Sequence, residues 1–119
     1  MTISHILAVL SQSDIVISVE VIEINVEPKV QSLRAKAILK EGYVLYVNEG
    51  IGESYRRYSY HLQKGDKMIR RWDNAPHWMG IRTFPFHLHL PDNDKPIECG
   101  EVFVDGVLAA IKDIFSEEK

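Results

Sequence analysis

With one cysteine in 119 residues, Cys99, the chain can form no internal disulfide, which suits a reducing compartment. No apolar run is long enough to span a bilayer, and the start Met1-Thr2-Ile3-Ser4-His5 lacks the basic residues and small-residue cleavage site of a secretion signal. Together these absences lead to the expectation of a cytoplasmic protein with no membrane partner. There is also no internal repeat, low-complexity run or linker, and 119 residues can bury one core but not two, so a single domain over residues 1–119 is expected. Disorder is excluded by a hydrophobic content of 45% with 26% charged residues.

The small net charge of −3 hides an asymmetry. From Ile51 to His89 there are seven Lys/Arg against three Asp/Glu, whereas the rest of the chain has seven against fourteen. Four of the five histidines fall in that basic segment. A locally basic surface attracts phosphate or an acidic partner.

Apolar periodicity gives the outline of the fold. Ile3, Ile6, Leu7 and Leu10 recur at helical spacing after Thr2, a suitable N-cap. In residues 15–26 the strand alternation changes phase, so a bulge near Val21 is expected. Glu27-Pro28-Lys29 and Glu41-Gly42 read as turns around an alternating strand at 33–39. A third strand covers 43–47, and Asn48-Glu49-Gly50 reads as its break. An aromatic, basic strand over 54–63 then turns at Lys64-Gly65-Asp66-Lys67 and returns through Met68 to Asp73. Pro76 forces the chain out of the sheet, and residues 92–97 read as a loop. Val104, Val107, Leu108, Ile111, Ile114 and Phe115 form one stripe of a closing helix. The expected fold is α+β: an antiparallel meander of about five strands, with a short N-terminal helix and a C-terminal helix packed on one face.

The stretch 70–90, RRWDNAPHWMGIRTFPFHLHL, holds three histidines, three arginines and both tryptophans, far more chemistry than a turn requires. A two-residue turn at Gly65-Asp66 sets Lys64 opposite Lys67, and outward counting sets His61 opposite Arg70, Tyr60 opposite Arg71 and Tyr58 opposite Asp73. His87 and His89, at i and i+2 on an extended segment, aim both rings to one side, where they can share an ion or divide acid and base roles. The candidate catalytic residues are therefore His61, His77, His87, His89 and Asp73. Arg70, Arg71 and Arg82 are candidate phosphate contacts, with Tyr60, Trp72 and Asn74 completing a substrate site; Tyr58 and Trp78 are further aromatics able to stack on bases. Each has a plainer reading. Asp73-Asn74 before Pro76 is ordinary turn chemistry, the aromatics are ordinary core, and Cys99, with no base beside it, is a structural thiol. A metal on His87 and His89 needs a third ligand, and the arginines weigh against a dication, so no metal and no other cofactor is expected.

Tyr58-Ser59-Tyr60-His61, Arg71-Trp72-Asp73-Asn74-Ala75-Pro76-His77 and Thr83-Phe84-Pro85 followed by His87 and His89 together resemble the signature of the TumE-type toxins of prokaryotic toxin-antitoxin pairs. Histidines that this family often carries where Trp78 and Phe86 stand are absent here, so no role is carried over to those positions. The resemblance implies a growth-inhibiting protein with a cognate antitoxin as partner. Combined with the basic, histidine-rich segment, it leads to the expectation of a toxin that acts on RNA as a metal-independent endoribonuclease. The alternative is a non-enzymatic module that binds a protein partner or nucleotide through the same patch, and a second copy of the chain is a further candidate partner.

Overall fold

A computed structural model describes residues 2–118. Helix α1 (Ile3–Gln12) is followed by strands β1 (Val16–Val26), β2 (Gln31–Leu39), β3 (Tyr43–Ile51), β4 (Arg56–Lys64), β5 (Lys67–Asp73), β6 (His87–His89) and β7 (Ile97–Glu98), and helix α2 (Val104–Glu117) closes the chain. The strands form one sheet in sequence order, with every neighbouring pair antiparallel. The α+β meander is as expected, with seven strands in place of about five. β6 and β7 are three and two residues long, too short for alternation to mark them.

Local chemistry explains the punctuation. The Thr2 hydroxyl accepts the His5 N–H at 3.1 Å and caps α1. In β1 the register shifts between Val21 and Glu23, leaving Ile22 as the bulge. Val19, Val21 and Ile24 thereby stand opposite Ala37, Ala35 and Leu33, which reconciles the two phases. Gly65, at φ +62°, opens the β4–β5 turn, and Lys64 faces Lys67 as expected.

Two expectations are corrected. Asn48-Glu49-Gly50 does not end a strand, because β3 runs on to Ile51 and pairs with β4 throughout. Glu49 is tolerated there, fully buried, because the Arg56 guanidinium grips both its oxygens at 3.0 and 2.8 Å and the Tyr60 hydroxyl donates to it. The β4–β5 register also differs from outward counting. A bulge at Ile69 places Gln63 opposite Met68 but Leu62 opposite Arg70, so His61 faces Arg71, Tyr60 faces Trp72 and Ser59 faces Asp73. One extra residue moves every later side chain of β5 to the other face.

Both helices pack on one face of the sheet. Ile3, Ile6 and Leu10 of α1 and the whole predicted stripe of α2 share a core with Leu33, Ala35, Tyr43, Leu45, Val47, Tyr58, Tyr60, Leu62, Trp72 and Leu88. Residues of opposite parity on the same strands look away from the helices, and that second face carries His61, Arg71, Asp73, His87 and His89.

Candidate functional site

Two neighbouring rows of side chains cross the open face. Asn48, Ser59, Asp73 and His87 are successive partners from β3 to β6, and one pleat away Lys36, Tyr46, His61, Arg71 and His89 are successive partners from β2 to β6. Directly opposed side chains lie about 5 Å apart at Cβ. The sheet therefore gathers residues spread from 36 to 89 into one polar ladder.

Asp73 is its centre. Its Oδ1 is 2.7 Å from His87 Nε2 and accepts the Ala75 N–H at 3.0 Å, while its Oδ2 is 3.0 Å from Arg71 Nε and 3.5 Å from His89 Nε2. His87 is 2% exposed, and its Nδ1 lies 2.9 Å from the Pro85 carbonyl. The 2.7 Å contact to Asp73 is short but misaligned, so Nε2 makes electrostatic contact without a directed hydrogen bond. Arg71 is shared, with Nη1 3.4 Å from His61 Nδ1. A guanidinium only donates, so that nitrogen of His61 presents its lone pair. Burial, followed by the Arg71 charge, holds His61 below the usual imidazole range. Burial also lowers His89; Asp73 opposes this, while His87 and Arg71 add to it. The rings of His87 and His89 meet edge-on with centroids 4.8 Å apart, and Trp78 closes the outer side of His89 at 6.4 Å.

Beside this cluster lies a groove of about 800 Å³, walled by the loop between β5 and β6. Pro76 drives the chain off the sheet, and Asn74 replaces the lost ladder bonds by accepting from Tyr58 N–H and donating to the Arg56 carbonyl. On the open face the groove is lined by Arg34, Arg57, Arg71 and His77 with Glu23 and Asp73 as acids, and the paired Arg56 and Glu49 also line it. Arg34 and Arg57 are additions to the expected site. Arg57 was legible in principle, since it shares strand parity with Ser59 and His61.

Five expected residues thus converge: His61, Arg71, Asp73, His87 and His89. His77 is exposed on the groove wall. The others lie elsewhere. Tyr60 and Trp72 are 0% and 3% exposed on the helix-covered face, and Tyr58 joins them in the core. Asn74 serves the backbone. Arg70 faces a shallow depression with Ile69, Leu90 and Glu117, and exposed Arg82 pairs with Glu98 at 2.8 Å. Burial raises the Cys99 thiol above its ordinary range, in keeping with a structural role.

No curated protein and no solved structure gave a match. A family model described as toxin TumE matches residues 6–119 and so takes in the whole sheet, both rows of the ladder and α2. The motif residues that the meander brings together are thus those of a known family, and the chain belongs to the TumE toxins.

Proposed function

We propose that this TumE-family toxin acts in the cytoplasm on RNA, as an endoribonuclease whose proton transfers are carried by histidine. The observation that supports this best is the row His61–Arg71–His89 beside a groove whose lining includes Arg34, Arg57, Arg71 and His77. RNA carries its own nucleophile, the 2′-hydroxyl, so cleavage needs a base, an acid and stabilisation of the phosphate charge. His61 is the base: its Nδ1 lone pair, which faces Arg71 in the free protein, takes the 2′-proton once Arg71 turns to the phosphate. The 2′-oxygen attacks the adjacent phosphorus, the bond to the 5′-oxygen breaks, and that oxygen takes its proton from His89 or His77. Arg71 lies where it can pair with the phosphate oxygens, and Arg34 and Arg57 extend the basic track for the backbone. Asp73 with His87 orients Arg71 and His89 from below. No step of this scheme requires a metal.

Purified protein incubated with RNA in chelator tests the reading. Cleavage should leave 2′,3′-cyclic phosphate ends, spare 2′-deoxy substrate, and fall at least about 100-fold in His61→Ala and in His89→Ala. Undiminished cleavage and toxicity in the double variant would reject it and favour the binding-module alternative.

The toxin family implies an antitoxin partner. For a protein partner, whether antitoxin or second copy, the surface best suited is β1. It has an open edge, and its Ile17, Val21, Ile22, Ile24 and Val26 are exposed.

A further inference from the structure

His87 faces two acceptors, and proton transfer alone gives no account of the second. The Pro85 carbonyl, 2.9 Å from Nδ1, only accepts, so the ring proton sits on Nδ1. With that proton on Nδ1, the other ring nitrogen, Nε2, lies 2.7 Å from Asp73 Oδ1 without being aimed at it. Both side chains are more than nine-tenths buried, and Nε2 has no directed hydrogen bond. Two donor atoms this close in a dry site, with no directed hydrogen bond joining them, are well placed to share a cation bound to one side of the pair. A third donor is at hand, since His89 Nε2 lies 3.5 Å from the other oxygen of the same carboxylate. One ligand atom from each of Asp73, His87 and His89 falls within 4.8 Å of the rest.

We propose that Asp73, His87 and His89 form a binding site for a divalent transition metal, with Zn²⁺ the ion best matched to two imidazoles and a carboxylate. Ligand bonds of about 2.0–2.2 Å bring ligand atoms to about 3.3 Å from one another, a spacing that small side-chain adjustments reach from the distances above. The surroundings are those of a supported site. Pro85 fixes the tautomer of His87, the arrangement that typically orients metal-bound imidazoles, while Ala75 N–H and Arg71 Nε anchor the carboxylate. Arg71 engages Oδ2, while Oδ1 gives one lone pair to the Ala75 N–H and keeps the other for the ion; the Arg71 charge lowers the affinity without blocking access. Three protein ligands leave a fourth position for water. The arginines lead to the expectation of no metal; the orphaned nitrogen of His87 is the observation that favours an ion in spite of them. A bound ion would occupy the lone pairs of His87 and His89 and so compete with the acid-base role proposed for His89.

The test is a titration of the chelator-treated full chain with Co²⁺, followed by its visible absorption, with Zn²⁺ as competitor. One Co²⁺ per chain, displaced by Zn²⁺, is expected. Affinity should fall at least about tenfold in Asp73→Asn, His87→Ala and His89→Ala, and stay unchanged in His61→Ala and His77→Ala. His89 is partly exposed, so His89→Ala remains informative should removal of the buried His87 unfold the chain. Absence of absorption and of Zn²⁺ binding overturns the proposal, as does binding that survives His89→Ala. Binding is read without RNA, so its failure leaves the ribonuclease reading intact, and failure of RNA cleavage leaves the metal site intact.

Discussion

Arg71 links the two ends of the polar ladder. Its Nε holds Asp73, and its Nη1 approaches the lone pair of His61. That charge, acting after burial, keeps His61 deprotonated further into acid than a free imidazole. The folded chain therefore binds fewer protons at His61 than the unfolded chain does. This site loses stability as the pH falls below the ordinary imidazole value of 6.5 and on through the lower value of the folded chain. Arg71→Gln should raise the His61 pKa toward that value, as read from imidazole proton shifts over a pH series. A titration curve that does not move would separate Arg71 from His61. The stretch 70–90 advertised its chemistry through composition, and Arg71, Asp73, His87 and His89 were all legible as candidates. Tyr60 and Trp72 were equally legible as aromatics but belong to the core, because composition carries no information about which face a side chain joins.

The largest differences from expectation at the level of elements come from a single residue and a single ion pair. Ile69 is extra in β5, and without it Arg71 and Asp73 would fall on the helix-covered face while Arg70 stood beside His61. Bulges leave no periodic trace in a strand of seven residues. In β3, Glu49 reads as a strand breaker until its partner is known. Arg56 spans from Glu49 to Glu101, which it meets at 3.0 Å, and its guanidinium lies over the rings of Tyr58 and Phe103. It thus clamps β3 and β4 to the segment that leads into α2. Arg56→Ala leaves the Glu49 carboxylate buried without its cation and should cost about 3–5 kcal/mol in urea unfolding. A loss within the range of an exposed pair, about 0–1 kcal/mol, would show that the clamp contributes little.

Across the whole molecule, the two helices cover only part of one face. α1 and α2 bury the centre of the sheet, and most of β1 lies outside their reach. Ile24, on the helix side opposite Leu33, is 49% exposed next to an unpaired strand edge. No helix among the described residues is long and apolar enough to cross a membrane. A second copy or the antitoxin is the occupant expected on β1. Ile24→Lys should weaken that association, seen as a lower mass in light scattering or reduced co-purification with antitoxin, while RNA cleavage by the His61–Arg71–His89 row on the opposite face stays unchanged. Equal association in the variant would move the partner surface elsewhere.

The sequence by itself determined the helix stripes, the alternating strands, the turns at Gly65 and Pro28, and the membership signalled by RWDNAPH, because each of these is written in neighbouring residues. The tertiary structure alone decided that His61, Arg71 and Asp73 meet His87 and His89 on the uncovered face, and that Tyr60 and Trp72 do not. The face a strand residue occupies depends on register parity, and that parity is set by pairing between segments distant in the chain, where one bulge at Ile69 and a three-residue return at β6 reassign every side chain that follows.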